Sequence, residues 1–170
     1  MGRISVKENK NVYQVIREEL GLSRAQASEL LESITPERIE RIENEKSLPQ
    51  SDEVKIMAGK YKEPDLRNYY CANQCSLGID YVPEVKIKDL SHIVLEMLSS
   101  LNSMDKKKER LIEIAADGTI SGDEMKDFVF IEKELEHIAM TVDTLQLWIE
   151  KMRANGSIDQ TLYDAYKNEK

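Results

Sequence analysis

The chain has little cysteine, histidine, proline or glycine. Two cysteines cannot form a disulfide framework, and two histidines leave little material for a metal centre or a histidine-dependent nucleophile. Four prolines and seven glycines in 170 residues do not fit a turn-rich β protein. No apolar run approaches the ~18 residues of a membrane span, and residues 1–11 lack the apolar core of a signal peptide. We expect a helical, cytoplasmic protein that is no enzyme, binds no cofactor or metal, and contacts no membrane.

Charge is plentiful, and it is unevenly distributed along the chain. The whole sequence has a formal net charge of −8. Residues 1–64 hold 11 Lys/Arg and 12 Asp/Glu, whereas residues 65–170 hold 13 and 20. A nearly neutral first part can still present one basic face to a polyanion, while the acidic second part would be repelled by one. The second part is therefore better suited to protein contacts.

The first part of the chain has the signals of several short helices. Asn11 is placed to cap the first helix. A capping box, serine followed three residues later by glutamine, starts at Ser23 and predicts the second. Thr35 followed by proline predicts the third, after a connection of about three residues. Two short helices joined by a tight turn form a helix-turn-helix, so we place a small domain at residues 1–64.

The second part has a heptad pattern in two arms. The apolar residues at 3-4 spacing are Ile87, Leu90, Val94, Met97, Leu101, Met104, Leu111 and Ala115, then Phe128, Ile131, Leu135, Ile138, Val142, Leu145, Ile149 and Met152. Asp117-Gly118 separates the arms. After a packed connector at residues 65–85, we predict an antiparallel helical hairpin and a short C-terminal helix over residues 86–170. The predicted fold is all-α, with a small helix-turn-helix head followed by a long antiparallel heptad hairpin.

Other apolar residues of the hairpin lie off this seam, among them Phe130, Leu147 and Trp148. A second apolar stripe on a two-helix hairpin must be covered by something. A second copy of the chain is the simplest cover, because a closed two-fold interface uses one patch twice. We predict that these three residues lie in a homodimer interface.

Short motifs in residues 16–49 point to a family. Gly21-Leu22-Ser23 stands upstream, and Ile39-Glu40-Arg41-Ile42-Glu43-Asn44 ends the third helix. Over roughly residues 11–65 the sequence resembles the lambda-repressor/Cro-type (XRE-like) helix-turn-helix DNA-binding domains of bacterial and phage regulators. The resemblance implies a sequence-specific transcriptional regulator that binds double-stranded DNA through its third helix. With the apolar stripe, it predicts a regulator that acts as a homodimer.

The resemblance also implies roles for individual residues. Arg17 and Glu43 would form a structural ion pair that ties the first helix to the third. Arg38 and Arg41 are the best candidates for base contacts, because a guanidinium can bond bidentately to guanine. The other DNA-binding candidates lie on the exposed side of the third helix or where the DNA backbone would run close: Arg24, Thr35, Pro36, Glu37, Asn44, Lys46 and Ser47.

The sequence departs from the family pattern in three places. The connection Glu32-Ser33-Ile34 is one residue longer than usual and lacks the usual glycine. Asn44 or Glu45 must accept an unusual backbone angle, and asparagine tolerates it better. Glu37 and Glu40 put acid on a helix meant to approach phosphates. An alternative is therefore an interaction adaptor whose helix-turn-helix no longer binds DNA and whose hairpin binds another helical protein.

Two further patterns are weak signals for metal. Cys71 and Cys75 have the spacing of one helical face, which would suit half of a metal site or a redox pair, but buried small hydrophobes are the simpler interpretation. Residues 113–124 resemble the later two thirds of an EF-hand loop. Glu113 and Ala115 stand at its first and third places, so the early oxygen ligands are deficient. A helix cap, Ser121 with glutamate three residues on, explains the rest.

Overall fold

The computed structural model describes residues 10–169, in which every regular element is helical and no strand occurs. The start of the predicted 1–64 domain, residues 1–9, lies outside this range. The helices are α1 (Val12–Glu19), α2 (Arg24–Leu31), α3 (Pro36–Glu43), α4 (Ser51–Lys60), α5 (Asp65–Asn73), α6 (Leu90–Asp105), α7 (Lys108–Ala115), α8 (Met125–Ala154) and α9 (Gln160–Asn168), with a 3₁₀ turn at Gly78–Asp80. The all-α prediction is confirmed. Within the described range no helix is both long and apolar enough to cross a membrane.

The chain forms two compact units. One takes in Met1–Glu84 and Ile149–Lys170, as far as these are described, and the other is Val85–Trp148. The first contains the helix-turn-helix, and the second contains most of the predicted hairpin. Each unit is described separately below.

The caps predicted for the first three helices are confirmed. Asn11 accepts a hydrogen bond from the amide of Gln14 at 3.0 Å, and Ser23 forms a complete capping box with Gln26. Thr35 caps α3, with proline at its first position. These local bonds satisfy amides that a helix leaves unpaired at its start, so the sequence itself fixes where each helix begins.

The core of the first unit is built from the inward faces of α1 to α5. Its buried members are Tyr13, Ile16, Ala27, Leu31, Ile34, Ile39, Ile42, Val54, Met57, Ala58, Tyr61 and Leu66. Leu66 lies on α5, in the segment where the sequence predicts only a connector. Helix α5 therefore completes the hydrophobic core that supports α2 and α3.

Two non-glycine residues with positive φ mark the ends of α2 and α3. Glu32 has φ 63° and ψ −45°, and the amide of Ser33 bonds the carbonyl of Leu31 at 2.7 Å, which is the rare and strained classic γ-turn. At the end of α3 the expectation for Asn44 is wrong: Asn44 has φ −90° and Glu45 has φ 57°. The reason is geometric, because a Schellman motif places the left-handed residue one position after the C-cap.

The second unit has the predicted antiparallel arrangement, but its first arm is broken. Asp127 near the start of α8 accepts hydrogen bonds from Lys107 at 3.2 Å and Arg110 at 3.0 Å. The end of the first arm therefore lies beside the start of α8, as an antiparallel hairpin requires. The first arm is divided into α6 and α7 rather than formed by one long helix. Directly after α6, the amide of Lys107 bonds the carbonyl of Met104, three residues back, as in a 3₁₀ turn.

The residues buried in the second unit match the predicted seam only in part. Ile131, a predicted member of the seam, is 1% exposed. Ile93, which does not belong to the predicted 3-4 pattern, is fully buried, and Leu147, which was expected in the dimer interface, is 8% exposed. Leu90 and Val94, expected in the seam, are 40% and 42% exposed. Helix α6 carries two adjacent apolar stripes. The stripe that contains Ile93 faces the interior, and the stripe that contains Leu90 and Val94 faces outward. Of the predicted interface residues, Phe130 is 40% exposed and Trp148 is half-buried, while Leu147 is buried within its own chain.

Candidate nucleic-acid interface

Helix α3 is held by its inner face. Ile39 and Ile42 are each 2% exposed and pack into the core of the head. At its start, the hydroxyl of Thr35 accepts a hydrogen bond from the amide of Arg38 at 3.3 Å. Pro36 follows with the backbone angle that a first helical residue needs. The opposite side of α3 is therefore presented to the outside.

Glu43 is the centre of a buried charge cluster. It is 1% exposed and accepts hydrogen bonds from Arg17 Nε at 2.5 Å, Arg17 Nη2 at 3.0 Å and Arg24 Nε at 2.9 Å. Burial disfavours the charge of Arg17, but the hydrogen bond and the charge of Glu43 raise its pKa above the ordinary value. Arg17 also donates a hydrogen bond from Nη1 to the carbonyl of Leu22 at 2.5 Å. The cluster thus joins α1, the start of α2 and the end of α3.

Arg24 is directed inward by this cluster. It is one of the predicted DNA-binding residues, but its guanidinium pairs with Glu43 and lies 3.9 Å from Glu40. About a third of its side chain remains exposed. In this conformation Arg24 serves mainly to neutralise Glu43.

Arg38 is engaged by four hydrogen bonds within the head. Its Nε and Nη2 donate to the two carboxylate oxygens of Glu53, each at 2.7 Å. Its Nη1 donates to the hydroxyl of Ser47 at 2.5 Å, and Nη2 also donates to the carbonyl of Leu48 at 2.9 Å. The side chain that the sequence favours for base contacts therefore ties α3 to α4 and to the loop between them.

Arg41 and Lys46 are positive charges near the end of α3 that have no partner among the described residues. Both are exposed, and their charged groups make no hydrogen bond or ion pair with any part of the chain from 10 to 169. They lie at the end of α3 and in the loop that follows. Three exposed acids share the surface: Glu37, Glu40 and Glu45. The surface is mixed in charge, with its free cations at the C-terminal side of α3.

The remaining predicted residues follow the same helix end. Asn44 is the C-cap of α3 and is half-buried. The hydroxyl of Ser47 accepts from Arg38 and keeps its own proton available for another acceptor. Arg41, Asn44, Lys46 and Ser47 therefore all lie in the last turn of α3 or in the loop that follows, where the amides of Lys46 and Ser47 bond the carbonyl of Arg41.

Glu53 is the functional residue that the sequence interpretation missed. It forms the bidentate pair with Arg38 and also accepts a hydrogen bond from the amide of Gln50 at 2.6 Å. Its pKa is lowered, chiefly by the hydrogen bond from Arg38. The available signal was its place three residues into the start of α4, the usual place of a capping-box glutamate.

The metal-like patterns do not assemble a ligand set. Within the described part of the chain, no three His, Cys, Asp or Glu side chains come together in a way that could hold a metal ion. Cys71 and Cys75 are free, half-buried thiols. In the loop that resembles an EF-hand, Glu124 accepts a hydrogen bond from the amide of Ser121 at 3.0 Å, as the helix-cap interpretation expects.

In comparisons with known proteins, the head matches one family model. Residues 15–65 match the helix-turn-helix family model, which covers α2, the turn and α3 and extends through α4. This is the XRE and lambda-repressor type, a family of DNA-binding regulators and not of enzymes. No curated protein and no solved structure matches the chain.

Proposed function

We propose that this chain, whose residues 15–65 form a helix-turn-helix domain of the XRE and lambda-repressor type, is a cytoplasmic, sequence-specific transcriptional regulator that acts as a homodimer. The observation that carries the proposal is how α3 is held in the head and which charges it leaves exposed. Its inner face is fixed by buried isoleucines and by Glu43. Its last turn and the loop after it carry two exposed cations that have no partner within residues 10–169. A rigid helix with free donors on its outer face is what major-groove recognition requires.

In this proposal Arg41 is the main base-reading residue. Its guanidinium makes no ion pair or hydrogen bond within the described part of the chain and can bond O6 and N7 of a guanine. Lys46, Asn44 and Ser47 supply phosphate contacts beside it, and these position the head on the duplex without reading sequence. Thr35, Pro36 and Glu37 line the start of the same outer face; a glutamate there can accept a bond from cytosine N4.

Arg24 and Arg38 have a different part in this mechanism. Each is paired with a carboxylate in the head. Releasing Arg38 to contact DNA would leave Glu53 without its ion-pair partner, and releasing Arg24 would leave Glu43 with Arg17 alone. Arg38 therefore acts by fixing α3 against α4. Specificity must come from few contacts, because the acidic chain has weak general attraction for DNA.

The homodimer is proposed to form through an exposed stripe on α6. The stripe consists of Leu90, Val94, Leu98 and Leu101, which are 40%, 42%, 52% and 50% exposed and follow one helical face. Phe130 and Trp148 on α8 remain further interface candidates. Pairing two chains converts two weak half-site contacts into one tight one, provided the heads reach grooves about 34 Å apart or a multiple of that.

The dimer is tested by sedimentation of the full chain at micromolar concentration. We expect a dimer for the wild type and a monomer with unchanged helicity for Leu98→Lys, because a charge in a small apolar interface removes its driving force. Leu147→Ala is the matched control: it should lower stability by ~2–4 kcal/mol without separating the chains, since Leu147 is buried within one chain. A monomeric wild type would contradict the proposal.

DNA binding is tested by the salt dependence of affinity. Lys46→Gln should weaken binding to all sequences alike and flatten the slope of log K against log salt by about one unit. Arg41→Gln should cost ~1–3 kcal/mol at one base position and relax the preference there. If Arg41→Gln instead lowers the affinity for every DNA sequence equally, Arg41 contacts phosphate and the base-reading role is wrong.

One observation favours a second function, that of an interaction adaptor. Two of the four candidate cations, Arg24 and Arg38, are neutralised within the head, and Glu37, Glu40 and Glu45 are exposed on it. Such a surface suits a basic protein partner, with the hairpin binding another helical protein. Glu37→Gln and Glu40→Gln separate the functions: they raise DNA affinity if the acids only oppose phosphate, and they abolish partner binding if the surface is an adaptor.

A further inference from the structure

A pocket that the proposed DNA contacts do not use lies in the first unit. Its walls are α4 and the start of α5 on one side, and the end of α8 with the start of α9 on the other. Its volume is about 470 Å³. Sites for small molecules occupy roughly 300–1,000 Å³, so the pocket has room for a compact ligand.

The charges around the pocket leave one positive group unpaired. Arg67 bonds Glu150 across the pocket, and Arg153 bonds Asp164 at 3.2 Å. Lys55 on α4 is exposed and forms no ion pair or hydrogen bond through its ammonium group anywhere in residues 10–169. The two arginine pairs are neutral as units, so Lys55 supplies the surplus charge.

The rest of the lining is apolar and small. Ala58, Gly59, Pro64 and Ala154 contribute no polar side-chain atom. A Cβ placed on Gly59 would meet no atom within 4 Å, so the space beside α4 is open at that point. Small residues on both walls create the volume, and a ligand of moderate size can fill it without displacing a large side chain.

We propose that this pocket binds a small organic monoanion, such as a carboxylate on a compact apolar body. The anionic group pairs with Lys55, and the apolar body lies against the small residues of the two walls. A neutral ligand would leave Lys55 without a partner. A polyanion would exceed the single surplus charge and would face the carboxylate of Glu150. Helix α4 also carries Glu53, so the ligand contacts the helix that holds Arg38 in place.

The test uses the full chain and a fluorescent probe of this chemistry, anilinonaphthalene sulfonate, a monoanion with an aromatic body. Its binding is measured by fluorescence titration and calorimetry for the wild type, Gly59→Ala and Gly59→Phe. The phenylalanine fills the pocket, whereas the alanine leaves most of it open. We expect one site per chain, similar affinity in the wild type and Gly59→Ala, and a loss of about tenfold or more in Gly59→Phe. Equal binding by the two variants would overturn the proposal.

Two further comparisons address folding and charge. Ala154→Phe fills the pocket from the opposite wall and must give the same loss, so the test stands even if Gly59→Phe fails to fold. Lys55→Gln should weaken the sulfonate probe about threefold to tenfold and leave binding of the neutral N-phenylnaphthylamine unchanged. Equal weakening of both probes would show that the pocket does not recognise negative charge and would overturn the monoanion assignment.

Discussion

Arg38 and Glu53 form a bidentate ion pair that joins the proposed recognition helix to the helix after it. Both hydrogen bonds measure 2.7 Å, and the two side chains are 24% and 15% exposed. The planar guanidinium and the carboxylate match in geometry, which makes such pairs stronger and more directional than a single bond. The pair ties α3 to α4, so in the proposed regulator Arg38 influences DNA recognition by holding α3 in place.

Replacing Arg38 should therefore lower stability before it changes sequence preference. Arg38→Ala strands the carboxylate of Glu53, and we expect a loss of ~1–3 kcal/mol in the free energy of unfolding of the head. Hydrogen exchange of amides in α3 and α4 measures this, because the single tryptophan, Trp148, lies outside the head. The double variant with Glu53→Ala should lose less than the sum of the single changes.

The same pair predicts a dependence on pH. Its bond to Arg38 holds the pKa of Glu53 below the ordinary 4.5. The stabilisation is therefore present in full above about pH 4.5 and is lost as the pH falls through the lowered pKa in the folded state. The wild type should be more stable than Glu53→Gln at pH 7, and this difference should shrink toward zero in acid. A difference that is constant from pH 7 to pH 3 would contradict the assigned pair.

Glu43 should be the most sensitive charged residue of the head. Glu43→Ala strands Arg17, which is buried, and removes the partner of Arg24, so we expect a loss of ~3–5 kcal/mol. Arg24→Ala is the milder control, because Arg24 is a third exposed and Arg17 still neutralises Glu43. DNA binding by Glu43→Ala should fall only in proportion to unfolding. A stable variant that has lost DNA binding would make Glu43 a contact residue.

The left-handed residue at the end of α3 gives a stabilising prediction. Glu45 has φ 57° and is exposed, so Glu45→Gly should raise stability by ~0.5–1 kcal/mol through relief of backbone strain. Glu45→Ala keeps a Cβ in the same conformation and should give no such gain. Urea unfolding followed by circular dichroism compares the two. Equal stability of the two variants would show that the backbone at Glu45 is not strained and would contradict this prediction.

The sequence predicts local features well and tertiary choices poorly. The caps at Asn11, Ser23 and Thr35 are found because each is decided by bonds within four residues. The partner of Arg38 was missed because the contact depends on how α4 packs against α3. In the hairpin, Leu90 and Ile93 lie on neighbouring stripes of one helix, and spacing alone does not say which stripe faces the other arm.

The proposal that α3 reads DNA sequence through Arg41 is tested most directly by selection from a pool of random duplex DNA. The full chain, verified as folded and dimeric, is compared with Arg41→Ala at low and physiological salt. We expect an enriched sequence made of two related half-sites for the wild type. In the pool from Arg41→Ala, the preference at one position of each half-site should be relaxed. A wild-type pool with no enriched sequence even at low salt would contradict the claim and leave the adaptor as the function of this surface.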